Sequence, residues 1–321
     1  MKQIENLLGF RESIKVVDAT LRDGGLVNDF FFEDDFVNEL YKANVRAGID
    51  YMEFGYRASK KVFDESKFGK WKFSSDEHIR QIVGENNSDL KLAIMADIGR
   101  HDKDDFDQKV NSPVDLVRVA AYIQQMPEAI DMVEDAAKKG YETSCNIMAI
   151  SHANDNEIKV ALDMLGKSPV DVIYIVDSFG SIYPEQMTRI ADMYLEFAAK
   201  YGKKVGVHAH NNQQLAFANT IEACGDGVDW LDATYLSMGR GAGNCAMELL
   251  IGFLKNPKYN VYPIFRFIEE HMIKLREKGV VWGYDLQYLM TGLLNQHPRS
   301  AIQFTKEKRT DYSEFYKDLL I

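Results

Sequence analysis

The chain has 321 residues, of which 46% are hydrophobic and 27% are charged, and its formal net charge at pH 7 is −11. This composition is typical of a globular protein and excludes an intrinsically disordered chain. The acidic balance argues against a broad basic surface for nucleic acid, and no apolar run reaches the length of about 18 residues that a membrane span needs. We therefore expect a protein that binds neither nucleic acid nor membranes.

Eight short segments rich in valine, isoleucine and methionine are predicted β-strands. In chain order they cover residues 14–20, 50–55, 90–97, 114–119, 143–150, 171–177, 204–210 and 228–235. They begin roughly 25 to 40 residues apart, which is the spacing of a strand followed by a helix. Such near-continuous apolar strands favour a parallel sheet that is buried on both faces.

The segments between these strands carry helical periodicity and helix-end signals. Residues 34–47 place an apolar stripe on one face and begin with acidic residues. Further helices are predicted from Pro127 to Gly140 and from Pro184 to a C-cap at Gly202.

The order of these elements predicts an α/β fold, a (β/α)8 TIM barrel over residues 1–250. A doubly wound open sheet is the alternative, and the absence of G-x-G-x-x-G after the first strand weakens its dinucleotide-binding form. Residues 251–321 lose the strand pattern and are predicted as a helical C-terminal extension, either a lid or a contact in a homo-oligomer. Residues 56–76 contain five lysines and one arginine, and so long an irregular region is expected to be functional or mobile.

The first residues and the cysteines both favour a cytoplasmic location. The opening sequence MKQIENLLGFRES lacks a long apolar core followed by a small-residue cleavage site, so we expect no signal peptide. Cys145, Cys224 and Cys245 lack metal-binding spacing and are too few for a disulfide framework. We predict that Cys145 and Cys224 are core residues of a reduced, cytoplasmic protein.

Polar side chains gather at the predicted C-terminal ends of the strands, where barrel active sites lie. His208 and His210 are two positions apart on the seventh strand, so both imidazoles point to the same face. Asp23, at the predicted end of the first strand, would complete a site of two histidines and one carboxylate. These ligands suit a divalent metal, with Mn²⁺ or Mg²⁺ favoured over Co²⁺, Fe²⁺ or Zn²⁺. The alternative is that one histidine is simply packed in the core.

Two further motifs accompany this predicted metal site. Arg22 would stabilise an oxyanion that develops on a carbonyl substrate beside the metal. The alternative for Arg22 is an ordinary salt bridge to Asp18 or Asp23. The sequence GRGAGN at residues 239–244 has two interpretations, which are a phosphate-binding loop and a tight turn that brings Asn244 back toward the metal.

Five motifs occur together in the order seen in a known enzyme superfamily. They are DATLRDG (18–24), NIMAISH (146–152), VDSFGS (176–181), GVHAHNNQQLAFANT (206–220) and DATYLSMGRGAGN (232–244). Together they resemble the pyruvate-handling metal-dependent aldolases and lyases, which include 4-hydroxy-2-oxovalerate aldolase, hydroxymethylglutaryl-CoA lyase, and the isopropylmalate and homocitrate synthases. The resemblance spans roughly residues 14–250 and is strongest to the 4-hydroxy-2-oxovalerate aldolase group.

The resemblance implies roles for particular residues. It implies that Asp23, His208 and His210 are divalent-metal ligands, with Asn244 near or on the metal. It also implies that Arg22 stabilises a pyruvate enolate. The positions implied to contact substrate or to reach the site from the C-terminal extension are Ser178, Gly24, Tyr284 and Tyr288.

The sequence departs from the aldolases at Leu26. The aldolases carry a histidine three residues after the metal aspartate, where it acts as the general base on the substrate hydroxyl. Leucine cannot transfer a proton, and such a base is worth roughly 10²–10⁴-fold in rate. Either His101, His152 or Tyr284 supplies the base, or the substrate differs, or the cleavage step is lost. The C-terminal extension is also shorter than the aldolase region that docks a partner dehydrogenase, which disfavours such a partner.

These observations predict a divalent-metal-dependent carbon–carbon lyase of the aldolase type. Its small-molecule substrate would be a 4-hydroxy-2-oxo acid that is cleaved or formed through a pyruvate enolate. One alternative is a Claisen-type synthase that joins an acyl-CoA to a 2-oxo acid. Another is an inactive binding barrel, since Leu26 replaces the expected base. A metal-dependent hydrolase is disfavoured because barrel hydrolases more often place His-x-His on the first strand.

Overall fold

The computed structural model describes residues 10–102 and 105–321. Eight parallel strands follow one another around a closed barrel, and the eighth pairs with the first to complete it. The strands are β1 (Lys15–Asp18), β2 (Tyr51–Tyr56), β3 (Lys91–Asp97), β4 (Leu116–Tyr122), β5 (Glu142–Met148), β6 (Val172–Asp177), β7 (Lys204–Ala209) and β8 (Trp230–Ala233). The eight predicted strands and the (β/α)8 barrel are therefore confirmed.

The barrel interior changes from apolar to charged along the strands. Its apolar part is filled by Val17, Tyr51, Ala93, Leu116, Val172, Tyr174, Val176 and Trp230. Because strand side chains alternate between the two faces, the next inward positions on β2, β4 and β8 are Glu53, Arg118 and Asp232. All three are 0–1% exposed. The barrel therefore has a buried charged layer beneath its C-terminal end.

Helices surround the barrel between the strands. They are α1 (Thr20–Gly24), α2 (Asp34–Ala47), α3 (Asp76–Val83), α4 (Met126–Lys138), α5 (Asp155–Lys167), α6 (Pro184–Tyr201) and α7 (Ala216–Asp226). The bounds of α2 are those predicted, and α4 begins one residue earlier and ends two residues earlier than the helix predicted at residues 127–140. As predicted, α6 begins at Pro184 and is capped by Gly202, which has the left-handed φ of 68° that favours glycine.

The predicted helical C-terminal extension is also confirmed. α8 (Met247–Phe253) follows β8 and spans the predicted boundary between residues 250 and 251. The helices beyond it are α9 (Tyr262–Phe267), α10 (Ile273–Glu277), α11 (Leu286–Leu293), α12 (Arg299–Lys306) and α13 (Tyr312–Asp318), with a π-helical segment between α9 and α10. Just after α11, the side-chain oxygen of Asn295 accepts hydrogen bonds from Ser151 (2.7 Å) and Ser181 (2.6 Å), which follow β5 and β6. The extension therefore covers part of the C-terminal end of the barrel.

The long irregular region after β2 packs onto the barrel. Arg57 and Phe73 form an isolated bridge that brings its two ends together, and two short 3₁₀ turns lie between them. Lys72 is 6% exposed, and its ammonium lies 4.2 Å from the ring centroid of Phe63 and 4.5 Å from that of Tyr56. The region is therefore irregular, as predicted, but is held by aromatic contacts with its lysine.

The remaining sequence expectations concern the first residues, the cysteines and membrane spans. Residues 1–9, which carry most of the segment that led us to expect no signal peptide, lie outside the described residues. Cys145, Cys224 and Cys245 are buried and unpaired, which confirms the core positions predicted for the first two. Within residues 10–102 and 105–321, no helix is long and apolar enough to cross a membrane.

Candidate metal centre and active site

Arg22 and Asp23 lie on a single helical turn, and the expectation that they close the first strand is wrong. β1 ends at Asp18, whose carboxylate accepts hydrogen bonds from the backbone N–H and the hydroxyl of Thr20. This local contact competes with strand hydrogen bonding and begins α1 at Thr20. Arg22 and Asp23 nevertheless face the cleft at the C-terminal end of the barrel, where they are 5% and 0% exposed.

The structure brings Asp23 together with both predicted histidine ligands. Oδ2 of Asp23 is 3.1 Å from Nε2 of His208 and 3.6 Å from Nε2 of His210. One ligand atom from each of the three residues lies within 4.8 Å of the others, and all three residues are buried. Two imidazole nitrogens and a carboxylate in this arrangement suit a divalent metal with open coordination positions.

The second nitrogen of each imidazole is held by a neighbouring strand. Nδ1 of His208 lies 2.9 Å from a carboxylate oxygen of Asp232 on β8. Nδ1 of His210 lies 3.0 Å from the carbonyl oxygen of Asp177 at the end of β6. With Nδ1–H donating to these oxygens, both Nε2 atoms are left unprotonated and face Asp23. Metal-binding histidines are usually oriented by such contacts.

The hydrogen-bonded charged cluster below the histidines is one positive charge short. Arg22 donates to Asp23 (2.6 Å) and Glu53 (2.9 Å). Arg118 donates to Glu53 (3.0 Å) and Asp232 (2.7 Å). Three carboxylates and two guanidiniums leave one net negative charge when the histidines are neutral, and an uncompensated buried charge is costly. Positive charge could be supplied by a proton on His208, whose pKa is raised, or by a divalent cation on the Asp23 side.

The pKa values in this cluster follow from the competition between burial and neighbouring charges. Burial opposes ionisation of Asp23, but Arg22 and the two histidines outweigh it and hold the pKa of Asp23 well below its usual value. Burial lowers the pKa of His210 well below its usual value, which keeps it neutral as a metal ligand must be. Burial also acts to lower the pKa of His208, but its bonds to Asp23 and Asp232 raise that pKa overall.

The side-chain oxygen of Asn244 could be a further metal ligand beside the three candidate ligands. Its side-chain oxygen is buried and makes no hydrogen bond with any residue that the structure describes, while its Nδ2 donates to the carbonyl of Met238 (3.3 Å). Asn244 also forms an isolated bridge with His210. Gly241 and Gly243, with φ of 64° and 85°, turn the chain back to that position. The structure therefore favours the tight-turn interpretation of GRGAGN.

A cleft opens above this cluster at the C-terminal end of the barrel. Its polar lining is Arg22, Asp23, Tyr56, Tyr122, Asn146, Ser178, His208, His210, Arg240 and His297, and its apolar lining is Leu26, Met95, Ala120, Met148, Val176 and Phe179. The lining combines the candidate metal ligands, two arginines and an apolar wall. Such a cleft suits a small organic acid.

A family model described as HMGL-like matches residues 13–267. The chain belongs to the HMGL-like family. An oxaloacetate decarboxylase from Mycobacterium tuberculosis is 31% identical over 249 residues, which cover 76% of this chain and 70% of that protein. A 4-hydroxy-2-oxovalerate aldolase from Bacillus cereus is 25% identical over 308 residues, which cover 92% and 88%. The resemblance to metal-dependent aldolases and lyases is therefore confirmed at the level of the family.

A solved structure agrees with this assignment. The N-terminal domain of a candidate aldolase from Bacteroides vulgatus matches with a TM-score of 0.75 and 28% sequence identity. The match covers 91% of this chain and 96% of that one. The similarity therefore extends beyond the barrel into the C-terminal helices of this HMGL-like chain.

The structure does not bring the predicted replacement bases into the cleft. Nδ1 of His101 lies 3.1 Å from the carbonyl oxygen of Asp97, and Nε2 of His152 lies 2.6 Å from that of Asn295. Tyr284 is 54% exposed. None of the three lines the cleft, whereas Leu26 does. The base role suggested for them remains a prediction that this geometry does not favour.

The remaining residues that were predicted to contact substrate also differ in whether they line the cleft. Ser178 lines the cleft, and its hydroxyl oxygen accepts a hydrogen bond from the backbone N–H of Ala149 (2.8 Å). The hydroxyl hydrogen of Ser178 is therefore available to a substrate oxygen. Gly24 and Tyr288 do not line the cleft; Gly24 lies against Met238. Their predicted contact with substrate remains untested.

Five polar cleft residues were not assigned a role from the sequence, namely Tyr56, Tyr122, Asn146, Arg240 and His297. Tyr56 and Arg240 lie near predicted strand ends, and Asn146 lies within one of the five motifs. These three positions could therefore have been proposed as site residues from the sequence. His297 reaches the cleft from the C-terminal extension, more than fifty residues after β8. Only the tertiary path of that extension places His297 in the cleft.

Replacing Gly239 with alanine is expected to disrupt the metal centre. A Cβ atom there would lie 2.1 Å from Nδ2 of Asn244 and 2.9 Å from Oδ1 of Asp23, so both side chains must move. We expect Gly239→Ala to weaken Mn²⁺ binding by roughly tenfold or more, as displacement of supporting groups does in other metal sites. The matched control is Gly252→Ala, because a Cβ at Gly252 meets no atom within 4 Å. Equal Mn²⁺ affinity in both variants, measured by titration calorimetry, would contradict this geometry.

Proposed function

We propose that the protein is a divalent-metal-dependent carbon–carbon lyase that acts on a 2-oxo acid through a pyruvate-type enolate. The observation that carries the proposal is the convergence of Asp23, His208 and His210, with Arg22 directly beside them. Membership of the HMGL-like family supports it, since relatives are named as aldolases and as a decarboxylase.

The metal ligands and their neighbours fit this chemistry. A divalent metal held by Asp23, His208 and His210, with the free oxygen of Asn244 close by, would act as a Lewis acid toward a bound 2-oxo acid. Arg22 would donate to the enolate oxygen as negative charge develops on it. Two of the three guanidinium nitrogens of Arg22 already hold Glu53 and Asp23, which fixes the guanidinium before substrate arrives.

In this proposal, one other cleft residue donates a hydrogen bond to the substrate and another donates a proton to the enolate. The hydroxyl of Ser178 would donate to the substrate carboxylate, since its oxygen is already occupied by the N–H of Ala149. Tyr56 would give a proton to the enolate carbon. Burial, with Asp97 as the next cause, raises the pKa of Tyr56 well above its usual value, so its hydroxyl stays protonated. Tyr56 is therefore a proton donor throughout the neutral range.

Two reactions generate the same enolate, and they differ in whether they need a base of the kind that Leu26 replaces. Cleavage of a 4-hydroxy-2-oxo acid requires a base to remove the proton of the 4-hydroxyl group. Loss of CO₂ from an oxaloacetate-type acid breaks a carbon–carbon bond without removing any proton from the substrate. The cleft presents the apolar Leu26 close to the metal ligands, and the candidate bases lie outside it. This wall favours decarboxylation as a second candidate beside the aldolase reaction.

Metal analysis combined with two substrates tests the proposal. The purified protein is expected to bind about one Mn²⁺ per chain, and His208→Ala or His210→Ala should abolish that binding because each removes a ligand. His101→Ala is the control, since His101 does not line the cleft. Pyruvate release from oxaloacetate and from 4-hydroxy-2-oxovalerate is then compared. A folded protein that binds no divalent metal, or that releases pyruvate equally well after chelation, would refute the mechanism.

A further inference from the structure

Arg240 lines the cleft without a carboxylate partner. Its backbone N–H donates to Oδ1 of Asp23 (3.2 Å), so its side chain starts at the candidate metal centre. One terminal guanidinium nitrogen donates to the carbonyl oxygen of Ser178 (3.0 Å). Its Nε is buried and has no hydrogen-bond partner, and no Asp or Glu of the described residues forms a salt bridge with Arg240. The guanidinium therefore has unused donors and no counter-charge.

His297 stands beside Arg240 but does not neutralise it. Nε2 of His297 lies 3.3 Å from a guanidinium nitrogen of Arg240, and Nδ1 lies 3.1 Å from the backbone N–H of Arg299. Burial, followed by the charges of Arg240, Arg299 and Arg100, lowers the pKa of His297 to about 4. His297 is therefore neutral at pH 7, and three guanidinium groups create a positive field on this side of the cleft.

The other arginine of the cleft provides a direct contrast. The charge of Arg22 is paired with the carboxylates of Glu53 and Asp23 through two of its three guanidinium nitrogens. Among the described residues, the guanidinium of Arg240 in the same cleft donates to one carbonyl oxygen and lies beside a neutral imidazole, and neither carries a negative charge. A partly buried guanidinium without an anion is costly unless a ligand supplies one. A planar guanidinium with free donors is also well suited to a carboxylate.

We infer that Arg240, with His297 beside it, binds a second carboxylate of the substrate. The preferred substrates are then 2-oxo acids with two negative charges. This inference rests on the proposed function for the position of the first carboxylate. Both candidate reactions accommodate it: oxaloacetate carries a second carboxylate at C4, and a 4-hydroxy-2-oxo acid with a terminal carboxylate carries one further out.

Binding of unreactive 2-hydroxy acids tests the inference without relying on turnover. Malate and 2-hydroxybutyrate share a four-carbon skeleton, and 2-hydroxyglutarate and 2-hydroxyvalerate share a five-carbon one. Within each pair, a distal carboxylate replaces a methyl group. Titration calorimetry of the Mn²⁺-loaded protein is expected to show that at least one diacid binds about tenfold or more tightly than its matched monoacid. The pair with the larger ratio indicates the distance between the two carboxylates.

Variants identify the residue responsible. Arg240→Gln is expected to remove the diacid preference and to leave binding of the monoacids within about twofold of wild type. Arg240→Lys should retain part of the preference because it keeps the charge but loses the planar fork. The control is Arg189→Gln, since Arg189 is paired with Asp155, 52% exposed at its side chain and absent from the cleft lining. It should keep the wild-type preference.

The possible outcomes separate this inference from the proposed function. Equal affinity of the wild-type protein for both members of each pair would overturn the inference, even if Arg240→Gln fails to fold. An equal loss of monoacid and diacid binding in Arg240→Gln would also overturn it, because Arg240 would then hold the carboxylate nearest the metal. A diacid preference in a protein that releases no pyruvate would support the inference and contradict the proposed function.

Discussion

Replacing Arg118 with methionine is expected to lower the free energy of unfolding by about 3–5 kcal/mol. Arg118 is 0% exposed and bridges Glu53 on β2 to Asp232 on β8 across the barrel interior. Its removal leaves two buried carboxylates with one fewer cation and no access to water. Its guanidinium also lies 4.5 Å from the ring centroid of Tyr174, so packing is lost as well. Urea unfolding followed by circular dichroism measures the change.

The matched control for this prediction is an exposed arginine in an ion pair. Arg189 pairs with Asp155, and both side chains are at least 50% exposed. Surface ion pairs contribute roughly 0–1 kcal/mol, so Arg189→Met should leave the urea midpoint almost unchanged. Similar midpoints for Arg118→Met and Arg189→Met would contradict the structural importance of the buried charged layer.

Replacing Arg22 with lysine is expected to slow enolate formation by about 10²–10³-fold, the usual effect of removing one oxyanion donor. Lysine keeps the positive charge but cannot hold Glu53 and Asp23 while pointing a third donor into the cleft. Metal content should remain close to wild type, because Arg22 is not a ligand. Exchange of pyruvate methyl protons with D₂O, followed by mass spectrometry, measures the rate.

A second buried arginine provides the control for Arg22. Arg57 is 7% exposed and bonds to Asp76, but it does not line the cleft. Arg57→Lys should therefore retain the wild-type exchange rate. If Arg22→Lys exchanged pyruvate protons as fast as Arg57→Lys, Arg22 would have a structural role only.

The parts of the fold that sequence predicted well are those fixed by local patterns. The apolar strands repeat at βα spacing, so eight strands and a closed barrel follow from periodicity and helix-end residues. The two candidate histidine ligands could also be predicted to share a face, because His208 and His210 are two residues apart and strand side chains alternate. Asp23 was identified correctly as their neighbour, although it lies on a helical turn that Asp18 and Thr20 create.

The parts that sequence did not predict depend on contacts between distant segments. Glu53, Arg118 and Asp232 come from three strands and meet only because the barrel closes. Arg118 carries no motif that distinguishes it from a surface arginine. His297 reaches the cleft only through the path of the C-terminal extension, which no periodic pattern determines. The position of a loop side chain such as that of His101, which does not line the cleft, also depends on contacts between distant segments.

Leu26 remains the residue that most affects the choice of reaction. It lines the cleft where the resemblance to aldolases leads one to expect a base. Arg240 lines the same cleft with an uncompensated charge. An apolar wall beside the candidate metal ligands, and a guanidinium that no carboxylate of the described residues pairs with, are consistent with a substrate that carries two carboxylates.

Metal-dependent exchange of the methyl protons of pyruvate is the most direct test of the central claim, since it requires the enolate but neither the true substrate nor its second fragment. The Mn²⁺-loaded protein should incorporate deuterium into pyruvate from D₂O. The chelated protein and the His208→Ala variant should not. A folded protein that binds one Mn²⁺ per chain but exchanges no protons, or that exchanges them equally after chelation, would contradict the account.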